Sequence, residues 1–167
     1  MKMLLTMLVV LVSFTSIISL YSSAAGRSSQ EVYLEYHNNM RRLVSSPPLR
    51  WNLDLKRQAR KFLYNHSIDC LGSKPLISSG IGWNLAREWG NGTFLGIEAV
   101  FTWFFQKEFY DHVANKCVGG ECRSYTQLVW SRSTDVGCFR VKCHNDIGTL
   151  VRCNYHPPGN IPGERPF

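Results

Sequence analysis

The stretch from Cys138 to Cys153, with the sequence CFRVKCHNDIGTLVRC, decides the fold class of this chain. On both sides of its centre, every second residue is apolar, which is the period of a half-buried β-strand. The central residues HNDIG, from His144 to Gly148, form turns readily. The stretch therefore predicts an antiparallel hairpin with a loop at 144–147.

This hairpin constrains the disulfide bonds. With a loop at 144–147, Cys138 faces Cys153 across the two strands, within the distance that a disulfide spans. Cys138 and Cys143 lie an odd number of residues apart, so their side chains point to opposite faces of the strand and should not pair with each other.

The N-terminal 25 residues have the pattern of a secretory signal peptide. Lys2 precedes an apolar run that extends to Leu20, and small residues at Ser23 to Ala25 suit cleavage after Ala25. A membrane anchor is the alternative, but the run is short and contains several hydroxyl side chains. We therefore expect a secreted mature domain at residues 26–167.

All six cysteines follow this segment, and an even number in a secreted chain indicates three disulfides instead of a zinc site. Cys117 and Cys122 can close a small loop because Gly119-Gly120 bends freely. Cys70 is then left for Cys143. No cofactor is expected.

The mature chain is basic. Removing Lys2 with the signal segment leaves 18 basic and 12 acidic side chains, a net charge of +6 with neutral histidines. This charge favours weak attraction to acidic polysaccharide or lipid headgroups, and solubility alone is the alternative explanation. No nucleic-acid motif, serine-hydrolase elbow or phosphate-binding loop is present, so we predict neither nucleic-acid binding nor enzymatic activity.

Helical spacing dominates the first half of the chain, and strand spacing the end, so we predict an α+β domain. Residues 78–92 are glycine-rich and predict a loop, whereas the apolar run 125–130 predicts a short strand. The three expected helical stripes are Tyr33, Tyr36, His37, Met40, Leu43 and Val44; Leu55, Ala59, Phe62, Leu63 and His66; and Ile97, Val100, Phe101, Phe104 and Phe105. Two glycosylation sequons begin at Asn65 and Asn91.

Four motifs carry a family resemblance. They are YTQLVW at 125–130, CNYHPPGN at 153–160, HNNMR at 37–41 and SGIGWNLA at 79–86. In order and spacing they resemble the plant pathogenesis-related protein 1 branch of the CAP superfamily, over nearly the whole mature chain. The resemblance implies a three-layer α-β-α sandwich with an antiparallel central sheet, secretion to the apoplast and a defence-related role. The family's usual disulfide pattern agrees with the pairing argued above.

The resemblance also identifies four positions where the family carries two His and two Glu that can hold a divalent metal. Ser78, Trp83, Gln106 and Ser124 occupy these positions here. None offers a zinc ligand or a base near neutral pH, so we predict no metal site. Among nearby acids, Glu88 is the remaining candidate.

An aromatic pattern that some family members use to bind sterols is matched by Trp103, Phe105 and Tyr110. Packing in the core is the alternative for these three residues. Because Trp103 lies off the apolar stripe of its helix, a role at the surface stays open.

The C-terminal segment 157–167 resembles a tail that plant relatives are thought to release as a signalling peptide. Cleavage would fall between His156 and Pro157, and packing of Ile161 and Phe167 onto the core is the alternative. Three functions follow as hypotheses. The first is a non-enzymatic defence protein that binds sterol, another lipid or cell-wall polysaccharide. The second is a peptide precursor recognised by a receptor, and the third, less favoured, is a residual hydrolase.

Overall fold

The computed structural model describes residues 29–66, 80–90, 96–144 and 147–167. The predicted signal segment 1–25, Cys70, Ser78 and Asn91 lie outside the described residues, so the predictions that concern them stay predictions. In the described part of the chain, no helix combines the length and the apolar character that crossing a membrane requires.

Four α-helices and six β-strands are present in these residues, together with one short 3₁₀ helix. The α-helices are α1 Ser29–Arg42, α2 Leu53–His66, α3 Gly96–Phe105 and α4 Arg123–Leu128, and the 3₁₀ helix is Gln106–Phe109. The strands are β1 Arg50–Trp51, β2 Gly82–Trp89, β3 Tyr110–Asp111, β4 Lys116–Cys117, β5 Asp135–Lys142 and β6 Gly148–His156.

The four α-helices flank one four-stranded sheet. Its strand order is β1-β5-β6-β2. The strands β5, β6 and β2 are antiparallel, as expected, whereas the two-residue strand β1 adds a parallel edge. Helix α2 packs on one face of the sheet, and α1, α3 and α4 lie on the other. The predicted three-layer α-β-α sandwich is confirmed.

The hairpin formed by β5 and β6 has the predicted register. Cys138 lies opposite Cys153, and the two are joined by a disulfide with a Cα–Cα distance of 4.0 Å. A second disulfide links Cys117 and Cys122. Cys143 is disulfide-bonded, but its predicted partner Cys70 lies outside the described part of the chain, so that pairing stays a prediction.

Two apolar cores fill the spaces between the layers. The larger core lies between the sheet and α1, α3 and α4, and includes Val100, Trp103 and Tyr155. The smaller core, around Leu63 and Leu150, lies under α2. Alternate residues of β6 pack into the two cores, because successive side chains of a strand point to opposite faces of the sheet.

Two predictions of local structure are wrong. Residues 82–89, expected in a loop, form β2 and pair with β6 along their whole length. The residues of β2 that face the larger core are Gly82, Asn84 and Ala86, so its buried side lacks the large apolar side chains that usually mark a strand. Residues 125–128, expected in a strand, belong to α4 and are all buried. A short, continuously apolar run does not distinguish a buried helix from a strand.

The C-terminal end of α1 also differs from the prediction. Leu43 is 66% exposed instead of buried, because the helix ends at Arg42. Arg41 is fully buried instead, and its guanidinium donates hydrogen bonds to the carbonyl oxygens of Leu128, Trp130 and Ser133 at 2.9–3.0 Å. These bonds tie α1 to the segment that follows α4.

Candidate functional site

A cleft of about 520 Å³ opens between the start of β2, the start of α4 and the C-terminal tail. Its lining includes Trp83, Asn84, Ser124, Gln127 and residues 158–160 of the tail. Asn84, Ser124, Gln127 and the backbone of the tail supply hydrogen-bonding groups to this lining, beside apolar surface. The cleft therefore suits a ligand that is recognised by hydrogen bonds.

Two of the predicted metal-ligand positions meet beside this cleft. The Gln106 side chain accepts a hydrogen bond through Oε1 from the backbone N–H of Ser124, at 3.1 Å. The carbonyl of Ser124 accepts another from Nδ2 of Asn84, at 2.8 Å. The Ser124 hydroxyl and the Gln106 Nε2 group make no hydrogen bond with any described residue, so both remain available to a ligand.

Trp83 does not join this pair. It lies opposite Asn154 in the β2–β6 register, so its side chain projects to the α2 face of the sheet, whereas Asn84 points toward α4. The indole ring lies 5.1 Å from the guanidinium carbon of Arg152. On its other side this guanidinium lies 3.8 Å from the ring of Phe62. Trp83 thus packs against a buried cation, and it also borders the cleft.

Other potential metal ligands lie elsewhere in the described residues. Glu88 is at the opposite end of β2 from Trp83. Among the described residues, one group of three potential ligands lies close together, formed by His37, Cys138 and Cys153. The two sulfur atoms are joined in a disulfide and so offer no thiolate to a metal.

The rim of the cleft carries one exposed ion pair. The Arg123 guanidinium donates to both carboxylate oxygens of Glu121, at 2.8–3.2 Å. The hydrogen bond from the Arg123 side chain lowers the pKa of Glu121 to about 2. Glu121 is therefore an ionised, paired carboxylate near neutral pH and a poor general base.

A buried hydrogen-bond network connects the cleft to the core. His37 Nδ1 lies 2.7 Å from the carbonyl oxygen of Tyr33, which can only accept, so Nδ1 carries the proton. Nε2 then accepts from the Tyr155 hydroxyl at 2.9 Å, and this hydroxyl accepts from Asn84 Nδ2 at 3.3 Å. Burial lowers the pKa of His37 to about 4 and raises that of Tyr155 well above its usual value.

Gln127 is a site residue that the sequence reasoning missed. Its side chain accepts a hydrogen bond from the Gly159 N–H at 2.9 Å and donates one to the Ser133 hydroxyl at 3.2 Å. A Cβ atom at Gly82 would lie only 2.1 Å from Gln127 Oε1, so glycine is required there. Its place within the apolar run 125–130 was the signal in the sequence, because a polar side chain in a buried run usually makes specific hydrogen bonds.

Comparison with known proteins identifies the family of this chain. The sequence profile of the cysteine-rich secretory protein family, named CAP, matches residues 34–155. The chain belongs to the CAP family. It is 38% identical to pathogenesis-related leaf protein 6 of Solanum lycopersicum over 152 residues, which cover 90% of this chain and 91% of that protein.

A second relative gives the same assignment. Pathogenesis-related protein 1B of Nicotiana tabacum is 40% identical over 148 residues, covering 87% of this chain and 84% of the relative. Among solved structures, venom allergen-like protein 4 of Schistosoma mansoni superposes with a TM-score of 0.65 at 28% identity, over 84% of this chain and 94% of that one. The predicted resemblance is confirmed, and membership in this branch of the CAP family implies a defence-related role.

Within this CAP domain, the predicted sterol-binding residues do not form one surface. Trp103 is 1% exposed and packs in the larger core beside His37, so the alternative of core packing applies to it. The residue lies off the apolar stripe of α3, but α1 covers that side of the helix. Phe105, in contrast, is 67% exposed and stacks on Phe101. Tyr110 is half-buried and contacts Phe167 of the tail.

The C-terminal tail of the CAP domain is docked along its length. Phe167 packs against the larger core, as the structural alternative predicted, whereas Ile161 is exposed, contrary to that prediction. The backbone N–H of Ser131 donates to the Pro166 carbonyl at 2.6 Å, and Asn115 donates to the Glu164 carbonyl at 3.1 Å. Release of the tail would therefore require these contacts to break.

Two predicted modification sites of the CAP domain are accessible. Asn65 is exposed near the end of α2, as a glycosylation sequon requires, while Asn91 lies outside the described segments. His156 and Pro157, which flank the predicted cleavage site, are also both exposed. Exposure makes either modification possible without showing that it occurs.

Proposed function

We propose that this CAP protein is a secreted, non-enzymatic, defence-related binding protein whose cleft works without a metal ion. The observation that carries the proposal is the pairing of Gln106 with Ser124 at positions where the family places metal ligands. Neither side chain ionises near neutral pH, and Trp83 turns away from them. The cleft is thus a neutral site that can donate and accept hydrogen bonds.

Cell-wall polysaccharide in the apoplast is the favoured partner. Its hydroxyl groups match a cleft in which the Ser124 hydroxyl and the Gln106 amide are available, and wall polysaccharides with uronate groups would be attracted by the net positive charge. Neither group requires a metal or a charged base to bind a sugar. No hydrolysis is expected, because the described part of the cleft lacks a pair of ionisable residues with separate acid and base roles.

A binding assay with wall polysaccharide fragments tests the proposal. Purified mature protein should bind them, and Ser124→Ala combined with Gln106→Ala should weaken binding by roughly tenfold, since each lost hydrogen bond contributes about 0.5–1.5 kcal/mol. Glu108→Gln, which changes an exposed residue beyond α3, is the matched control. Unchanged affinity in the folded cleft variant would refute the assignment of the ligand to this cleft.

Sterol or another lipid is the second candidate ligand. Phe105 stacks on Phe101 with ring centroids 6.2 Å apart, and Phe101 meets Tyr36 of α1 edge-on at 5.6 Å. These three side chains form an aromatic surface that an apolar ligand could cover. In the same assay, sterol binding that Phe105→Ala abolishes would favour this candidate over polysaccharide.

The tail supports a further alternative, in which the domain is the precursor of a signalling peptide for a receptor. Exposure of His156 and Pro157 makes the bond between them accessible to a protease. The docked contacts of residues 159–167 mean that cleavage and release would be separate steps.

A further inference from the structure

The outward side of α2 carries a concentration of positive charge. Within its 14 residues, α2 has the cations Lys56, Arg57, Arg60 and Lys61 and a single acid, Asp54. Arg57, Arg60 and Lys61 are exposed, and Lys56 is half-buried. The positive side of α2 is defined here by these four cations.

The orientation of α2 is fixed, because its apolar side packs against the sheet. Leu55, Ala59 and Leu63 are at most 4% exposed. They recur every four residues on one side of the helix, so Arg57 and Lys61 project away from the sheet. Lys56 and Arg60 flank the buried side. The positive side is therefore a fixed feature of the surface.

The spacing of the cations produces two parallel rows. Lys56 and Arg60 are four residues apart, and so are Arg57 and Lys61. Each pair is separated by about one helical turn, roughly 6 Å along the axis. A linear polymer with one negative charge on each unit could contact several of these cations at once.

Most of this charge is not neutralised within the protein. Arg57 forms an ion pair with Asp54. Lys56, Arg60 and Lys61 have no carboxylate partner among the described residues. An incoming anion would not need to displace an existing ion pair at these three side chains.

Arg60 is also positioned by aromatic rings. Its guanidinium carbon lies 5.3 Å from the ring centroid of Tyr64 and 5.8 Å from that of Phe139 on β5. This contact holds the exposed guanidinium beside the two rings, and its N–H groups can donate to a carboxylate. Tyr64 itself is 51% exposed, so part of its ring is open to a ligand.

We propose that the positive side of α2 binds a linear acidic polysaccharide, with Arg60 and Lys61 pairing with uronate carboxylates and Tyr64 packing on a sugar ring. This inference rests on the proposed binding of cell-wall polysaccharide and assigns its acidic part to a surface separate from the cleft. The cleft would bind the hydroxyl groups of the polysaccharide, whereas the positive side of α2 would bind its carboxylates.

A membrane surface fits the same helix less well. Helices that lie on a bilayer insert an apolar side between the lipids. The apolar side of α2 is instead buried against the sheet through Leu55, Ala59 and Leu63. The exposed groups of α2 are cationic side chains and the ring of Tyr64, which suit a hydrated polysaccharide.

Binding to polygalacturonate, measured with the folded mature protein at low and at physiological salt, tests the inference. Arg60→Gln combined with Lys61→Gln should weaken binding roughly tenfold or more and reduce its salt dependence. Arg42→Gln combined with Lys107→Gln removes the same charge from the opposite side of the sheet and should have little effect. Arg60→Lys, which keeps the charge but loses the planar group, should give an intermediate loss.

The outcomes separate this inference from the proposed function. Equal losses in the α2 variant and in the charge-matched control would show that only net charge matters, and would overturn the inference. Loss in the Ser124→Ala, Gln106→Ala variant alone would place the polymer in the cleft, which contradicts the α2 surface but preserves the binding function. Stronger α2-dependent binding to phosphatidylserine vesicles than to polygalacturonate would replace the polysaccharide by a membrane.

Discussion

At the scale of single residues, His37 is the buried group that couples the core to pH. Its pKa is lowered to about 4, chiefly by burial, whereas an unfolded histidine titrates near 6.5. The unfolded state therefore binds more protons between these values, and stability rises with pH in that window. Stability from this residue is complete above about pH 6.5 and is lost as the pH falls toward 4.

We predict that acidification from pH 7 to pH 4.5 removes about 2–3 kcal/mol of stability through His37 alone. His37→Gln cannot titrate, so the variant should show a smaller loss over the same range. Urea unfolding of both proteins at the two pH values measures the difference. If the free energy of unfolding depended on pH equally in both proteins, burial of neutral His37 would not account for the loss of stability in acid.

Trp83 gives a second prediction at this scale, since it covers the buried Arg152. We expect Trp83→Ala to cost roughly 2–3 kcal/mol, from lost packing and from the cation left without its aromatic cover. Trp89 is a matched control on the same strand, because its ring lies 5.1 Å from Arg87 but is 53% exposed. Thermal unfolding should show a much smaller effect for Trp89→Ala, and equal effects would contradict the role assigned to Trp83.

Motif position alone could not predict what Trp83 does. The sequence showed that a metal ligand is missing there, but the direction of the side chain depends on the register of β2 with β6. Gln106 and Ser124 were predicted as two of four positions, and their hydrogen bond requires the packing of the 3₁₀ helix against α4. Burial of Trp103 could not be decided from the sequence, because one helical stripe does not reveal which neighbours cover the other sides of the helix.

At the scale of elements, local periodicity was sufficient where it was regular. The hairpin and the helices α1, α2 and α3 were predicted because apolar residues repeat at two or at about four positions. The strand β2 was missed because Gly82, Asn84 and Ala86 form its buried side, and a pattern of such residues resembles a loop. Its strand conformation comes from pairing with β6, which is a tertiary effect.

The tail is the element whose behaviour most needs a test. We predict that it stays docked, so that the intact protein keeps Phe167 packed against Tyr110 and His112, whose ring centroids lie 6.5 and 5.2 Å from its own. Phe167→Ala should make the segment 157–167 more sensitive to limited proteolysis, while Ile161→Ala, at an exposed position, should not. Mass spectrometry of the digest measures the cleavage rate.

Extracellular fluid from expressing tissue provides the physiological counterpart of that digest. Recovery of the free peptide that begins at Pro157, after defence induction, would support the precursor function. Chains recovered only intact through Phe167 would leave the tail with a structural role.

At the scale of the whole molecule, the α-β-α arrangement places two different surfaces on opposite sides of one sheet. The neutral cleft lies on the side of α4, and the positive side of α2 lies on the other. The sequence predicted the layers through the family resemblance and predicted the net charge directly. The concentration of that charge on α2 depends on which side of the helix the sheet covers, although the four cations were visible in the sequence.

The central claim is that the cleft binds without a metal ion, and calorimetric titration with zinc near neutral pH tests it most directly. The wild-type protein should show no stoichiometric micromolar binding, because Gln106 and Ser124 offer no zinc ligand. A variant with Ser78→His, Gln106→Glu and Ser124→His supplies candidate ligands again and serves as the comparison, expected to bind zinc more tightly than the wild type. A clear one-to-one isotherm for the wild-type protein, lost when Gln106 and Ser124 are both changed to Ala, would contradict the account.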